Sequence, residues 1–539
     1  MLAHSASVRI PALANRNTFS RQLTVLCLVN NMKYVIGIDL GTSATKTVLF
    51  DIQGKILASA SREYPLYQPH NGWAEQNPLD WYDAAIETLK KVVSESAVDA
   101  EDIVSLGISG QMHGLVMLDE DYNVLRPSIL WCDQRTAKEC EELTQKLGRE
   151  TLIKITANPA LTGFTASKIL WVKNNEPEVF EKCRHILLPK DYLRFRLTGE
   201  FATEVSDASG MQLLDVPNRK WSSVMIEACG IKEEYLAKVY ESPEITGYIN
   251  KETSALTGLS TATAVVGGAG DNAAAAVGMG VVEEGEAFTT IGTSGVVFAH
   301  TDHPVIDPQG RVHTFCCAVP NAWHVMGVTQ GAGLSMQWFK NNFCGEENVL
   351  ATQSGKDVYY ITDSMAADIP IGADKLLYLP YLMGERTPHL DPDCRGVFFG
   401  LSAMHAKSHF IRAILEGVTY SLYDCLLVLK ELNISPETML LCGGGAKSKL
   451  WKSMICDTFG MPVTTSMSAE APALGVAILA AVGAGIYSTV TEACCVMTSV
   501  NSDLLVPDGK NTKSYRAYHK VYSSVYKSLK NIYKDLVNV

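Results

Sequence analysis

Asp39 ends an apolar run, YVIGIDL, and sits directly before the loop Gly41-Thr42-Ser43. A carboxylate in this place cannot itself bind phosphate. It can hold Mg2+, directly or through water, and the metal then bridges phosphate oxygens. The loop amides and the hydroxyls of Thr42 and Ser43 supply donors for the same oxygens. Lys46 follows the loop. It is either a cation within reach of a transferring phosphoryl group or an ordinary solvated strand residue. The tripeptide returns at Gly292-Thr293-Ser294, again between two apolar runs. That copy has no carboxylate at the matching place, so it is expected only to grip phosphate. Two such loops, half a chain apart, point to two related domains facing one nucleotide.

Asp271 lies in GGAGDNAA, glycines before it and alanines after it. One reading makes it a helix N-cap. The other makes it a general base that takes a proton from a substrate hydroxyl, with Asn272 hydrogen-bonding the same substrate. Phosphoryl transfer needs positioning, charge neutralisation and one such base, the last worth roughly 10²–10⁴ in rate. Gly443-Gly444-Gly445 brings backbone close to a flat ligand, although many strand-to-helix turns look like this. The chain contains neither a Rossmann fingerprint nor a GxxxxGK[ST] loop, so nucleotide use must come from another fold.

The elements that must position these residues form two similar series. Strands are expected at Tyr34–Ile38, Thr45–Phe50 and Ile56–Ser61. A helix follows, with Asn77 as N-cap and Pro78 at its first position. A buried strand at Ile103–Ile108 then runs into Gly110-Gln111-Met112-His113-Gly114. The second half offers a hairpin at 287–300 and a strand at Trp323–Val328. Helices are expected from Gly331, over 408–432, over Ser448–Phe459 and over 515–537. The last should bury Tyr518, Val525, Leu529, Ile532 and Leu536. The expected class is α/β with mixed sheets flanked by helices and a ligand cleft between two domains. The boundary is expected at 278–285, giving 32–279 and 280–539.

Composition narrows the function. The chain has 539 residues, 47% hydrophobic and 19% charged, with net charge −12. No basic face is offered to nucleic acid, so a polyphosphate must be held by local amides, a few cations and a metal. Fourteen cysteines show no zinc-type spacing and read as buried thiols of a reducing compartment. No apolar run reaches the ~18 residues of a membrane span. Residues 1–31 lack Asp and Glu and carry Arg9, Arg16 and Arg21. They weakly resemble a transit peptide; the preferred reading makes Met32 the natural start, since no amphipathic period runs through them. The expected location is cytoplasmic.

Taken together these residues resemble the FGGY carbohydrate kinases of the actin-like ATPase superfamily, over essentially all of 32–539. GFTASKILWVKNN at 163–175 and GVFFGLSAMHAKSHFIRAILEG at 396–417 are similar to the two family signatures. GQMHG, LPKDYLRFRLTGE and GERTPH match a ketopentose branch. The resemblance implies two ribonuclease-H-like domains closing over ATP, Mg2+ and sugar. It implies Asp271 as catalytic base and Asp39 as the carboxylate beside the metal. Met112, His113 and Asn272 match sugar-contacting positions. Thr42 and Ser43 match the first phosphate loop, Thr293 and Gly333 the second, and Gly444 and Gly445 the adenosine motif. His113, read on its own, is a neutral hydrogen-bonding imidazole and no proton carrier. The implied reaction is ATP-dependent transfer to the 5-hydroxyl of D-xylulose. Another ketopentose or polyol, or a non-catalytic nucleotide sensor on the same fold, are the alternatives. A homodimer is compatible with the resemblance.

Overall fold

The computed structural model describes residues 33–538 except 467 and 469. The segment 1–31 therefore lies outside the described residues. The first sheet is built from β1 (Tyr34–Leu40), β2 (Ala44–Asp51), β3 (Ile56–Glu63) and, after helix α1 (Pro78–Glu95), β4 (Ile103–Gly110). Asn77 caps α1 as expected, its side chain accepting from the Leu79 amide. The chain returns through α2 (Thr165–Asn175), α3 (Pro189–Thr198), β5 (Ile245–Tyr248), β6 (Ala264–Val266) and β7 (Ala269–Gly270). β1, β2 and β3 form an antiparallel meander, β4 lies parallel to β1, and β6 lies parallel to β4. The strand order is β5-β6-β4-β1-β2-β3, with β7 also paired to β4.

Helix α4 (Asp271–Met279) leads to the second sheet, β8 (Glu286–Ile291), β9 (Gly295–Thr301), β10 (His313–Cys316) and β11 (Trp323–Thr329). Helices α5 (Ala332–Phe343) and α6 (Lys407–Glu431) precede β12 (Thr438–Cys442), α7 (Lys449–Phe459) and β13 (Val463–Thr465). The order is β10-β11-β9-β8-β12-β13. Here four strands joined antiparallel are followed by two parallel ones. The two Gly-Thr-Ser loops occupy the same hairpin in the two sheets, β1–β2 and β8–β9.

Two helices close the chain, α8 (Ala471–Gly483) and α9 (Gly509–Val537). α8, APALGVAILAAVG, is buried without a break from Ala473 to Ala481. It does not cover the second sheet that precedes it; it lies on β1, β4 and α4 of the first. Full burial of Leu474, Val476, Ile478 and Leu479 contributes about 1.5–3 kcal/mol each. Close approach explains the glycines here. A methyl on Gly475 would stand 1.9 Å from the Ala274 carbonyl oxygen, and one on Gly278 1.9 Å from that of Ala471. α4 and α8 therefore cross backbone to backbone.

α9 starts earlier than expected and buries a different face. Val525 is buried, but Ile532 and Leu536 are 56% and 61% exposed, while Tyr515, Tyr522, Tyr526 and Tyr533 are buried. The tyrosines win because each hydroxyl meets a partner inside. Tyr522 meets the Tyr381 hydroxyl, Tyr526 donates to Asp391 at 2.7 Å, and Tyr533 donates to the Arg395 carbonyl at 3.0 Å. No helix of the described residues is long and apolar enough to cross a membrane.

Candidate active site

β1 carries Asp39 near its C-terminal end, opposite Lys46 on β2 and beside Ser109 on β4. Burial, and then the nearby Asp271 carboxylate, push the Asp39 carboxyl up to about 7. Lys46 is not free in the cleft: its Nζ lies 2.5 Å from Oε1 of Glu470, immediately before α8. Asp39, Lys46 and Glu470 thus form one charged group where the chain's last third meets its first sheet.

Asp271 opens α4 without capping it; Gly270 is the cap residue. Its Oδ1 accepts from the Asn272 amide at 2.7 Å and the Asn272 side chain at 3.0 Å. Burial nevertheless outweighs both bonds and raises the carboxyl to about 6. Such a group is ionised at neutral pH yet basic enough to take a proton. Asn272 here holds Asp271.

Met112 is buried against Gly270, where a methyl would meet its side chain at 2.9 Å. His113 follows in the left-handed region, φ 68°. Three bonds hold it there. Its carbonyl accepts from Lys168 Nζ at 2.8 Å and Thr165 Oγ1 at 3.0 Å, and its Nδ1 lies 2.8 Å from the Gly210 carbonyl. Burial, with Lys168 nearby, drives the imidazole down to about 3, so it is neutral. With Nδ1–H donating to Gly210, Nε2 remains an acceptor.

In the first loop, Thr42 Oγ1 donates to Gln111 at 3.2 Å and accepts from Trp131 Nε1 at 3.0 Å, while Ser43 is exposed. In the second, Thr293 is exposed, whereas the Gly333 amide is spent on the Gly292 carbonyl at 2.7 Å. Gly333 thus docks the loop on the start of α5 and offers that N–H to nothing else. Gly443 has φ 82°, and a methyl on Gly444 would meet nothing within 4 Å. The chain there opens onto a cleft of about 670 Å³ whose walls include Asp271, Asn272, Thr290, Gly443 and Lys447. Carboxylate and glycine turn face one space, one on each half of the chain.

Sequence reasoning missed Trp131, Lys168 and Glu470. Trp131 is 47% exposed beside the first loop, and the next few residues are clamped. Arg135 bonds Asp133 and Glu75 and lies 3.6 Å from the Trp73 ring centroid. Lys168 falls inside the GFTASKILWVKNN signature but had no assigned partner. Nothing local marks Glu470, because its partner is 424 residues away.

The comparisons with known proteins agree along the chain. Residues 34–278 match the model of the FGGY family of carbohydrate kinases, N-terminal domain, and residues 287–484 match its C-terminal domain. The xylulose kinase of Bacillus subtilis is 42% identical over 501 residues, 93% of this chain and 98% of that protein. The xylulose kinase of Escherichia coli is 40% identical over 495 residues, 92% and 99% of the two chains. The crystal structure of a ligand-bound xylulose kinase from Lactobacillus acidophilus superposes with a TM-score of 0.87 at 28% identity, covering 94% of this chain and all of that one.

Proposed function

The chain belongs to the FGGY family of carbohydrate kinases, and we propose that it transfers the terminal phosphoryl group of ATP to the 5-hydroxyl of D-xylulose. The products are D-xylulose 5-phosphate and ADP. The observation that carries this reading is the cleft itself, whose walls include Asp271, its carboxyl raised by burial, and Gly443 of the glycine turn. The two curated relatives, both xylulose kinases, support the choice of acceptor.

Asp271 takes the proton from the 5-hydroxyl as that oxygen bonds to phosphorus and the bond to the ADP oxygen breaks. Met112, His113 and Asn272 orient the sugar. The His113 Nε2 lone pair accepts from a sugar hydroxyl. Thr42, Ser43 and Thr293 hold phosphate oxygens, and Gly444 and Gly445 receive the adenosine. Among the described residues no three His, Cys, Asp or Glu side chains converge to hold a metal. The single carboxylate of Asp39, at the end of β1 opposite Lys46, suits Mg2+, which ordinarily uses one or two carboxylates with phosphate oxygens and water, and Asp39 would be the protein's share. When bound, Mg2+ would neutralise charge on the phosphates.

We divide the chain at 279/280 into a sugar-binding and a nucleotide-binding half, with α8 packed on the first. The chain's proposed location is the cytoplasm. The test is an ADP-release assay across pentuloses and polyols. D-Xylulose should give the highest kcat/KM; a better acceptor would replace it in this reading.

A further inference from the structure

The GERTPH motif is not used by the chemistry above, yet its Arg386 touches His313, which in turn is bonded to Asn158 of the first half of the chain. Glu385 is 4% exposed, and its carboxylate is fully committed. It accepts from Thr329 Oγ1 at 2.7 Å, Ser421 Oγ at 3.1 Å, the Gln330 amide at 2.9 Å and the Arg386 amide at 2.8 Å. These bonds lock the loop to the end of β11 and to α6. They leave the neighbouring guanidinium without a bonded carboxylate.

Among the described residues Arg386 forms no ion pair. Its guanidinium makes one long contact, Nη1 to Nε2 of His313 at 3.4 Å. His313 is kept neutral by burial and by Arg386 itself, and its Nδ1 is 2.7 Å from Oδ1 of Asn158. Nδ1 thus carries the proton and Nε2 faces Arg386. Asn158 comes from the first half of the chain and also donates to the Thr314 carbonyl at 3.0 Å. The ring of Phe164 lies 5.9 Å from that of His313 and 4.9 Å from that of His113. Arg386 therefore sits at the edge of the aromatic group that contains the sugar-side histidine. Its one contact runs to His313, which packs with Phe164, itself packed on His113, so Arg386 stands on the histidine side of the site.

A guanidinium carries five donors. One weak contact leaves most of them without a partner among the described residues, on a half-buried side chain where a ligand can still reach them. A bound sugar brings the acceptors that are lacking. Building on the function proposed above, we propose that Arg386 is a specificity residue contributed by the nucleotide-binding half, donating to the oxygens at the non-reacting end of the ketose. Acceptor binding then bridges the two halves directly, so the right sugar helps to draw the cleft closed.

The experiment pairs Arg386→Met with 1-deoxy-D-xylulose, which lacks the distal hydroxyl. Arg386→Met should raise the KM for D-xylulose about 10–100-fold, the range for a hydrogen bond to a charged group. KM for ATP should stay within threefold. The deoxysugar should lose affinity on the wild-type enzyme and show little further loss on the variant. An unchanged sugar KM in a folded variant overturns the inference. If the variant does not fold, the wild type decides: a deoxysugar penalty below threefold overturns it, and a larger one supports it. A wild type that phosphorylates no ketose or polyol overturns the proposed function instead.

Discussion

Replacing Asp271 by Asn should make the protein inactive and more stable at once. The folded carboxyl titrates at about 6 against an ordinary value of 3.8. At pH 8 the native state therefore holds an anion that burial disfavours, at a cost of about 3 kcal/mol. That figure already includes the two bonds from Asn272 to Oδ1, which lower the carboxyl. A neutral amide oxygen can accept the same two bonds, so the gain for Asp271→Asn is about 3 kcal/mol at pH 8. The sign follows from the raised pKa. Below 3.8 both states are protonated and the cost vanishes; it grows as pH rises and is complete above about 6. At pH 5 the gain should shrink to about 1.5 kcal/mol. Denaturant unfolding at pH 8 and pH 5, with EDTA and without nucleotide, measures it. Xylulose-dependent ADP release should fall roughly 10²–10⁴-fold. A gain independent of pH, or a variant less stable at pH 8, refutes the account of the strained carboxylate. Near-normal turnover refutes the base.

Lys46→Met should lower kcat about 10–100-fold with little change in the sugar KM. An effect within twofold, in steady-state kinetics with ATP varied, would leave Lys46 only the partner of Glu470. His113→Asn should raise the sugar KM without moving the acid limb of the pH profile of kcat/KM between pH 5 and 9. The imidazole is already neutral throughout that range, and a shifted limb would give it a role in proton transfer. Gly475→Ala should cost at least about 1–3 kcal/mol, because its methyl would lie 1.9 Å from the Ala274 carbonyl oxygen. An unchanged melting temperature would contradict the backbone crossing of α4 and α8.

The sequence made the hairpins legible because each joins two β-branched runs across a glycine loop, and that signal is local. Asp39 and Asp271 were legible for the same reason: each is a lone carboxylate at the end of an apolar run, beside glycines. The destination of α8 was not. APALGVAILAAVG has no polar face, so no period tells which sheet it covers, and its fit to β1 and β4 rests on distant glycines such as Gly37 and Gly107. Following the aliphatic residues of α9 hid its true face, which Tyr515, Tyr522, Tyr526 and Tyr533 line. Glu470 and Arg386 could not be placed, because each acquires its meaning from a residue far away in the chain.

The placement of α8 also has a temporal consequence. The strands of the first sheet emerge from the ribosome early, and β4 is complete at Gly110. The helix that covers β1 and β4 begins only at Ala471. At roughly 5–20 residues per second, one face of that sheet waits about 20–70 s for its cover. During synthesis the first domain is thus a half-clad intermediate, and a chain cut before Ala471 never acquires the missing layer. Translation pauses between β13 and α8, or chaperones that hold apolar sheet, should therefore govern yield more than events in the first hundred residues do.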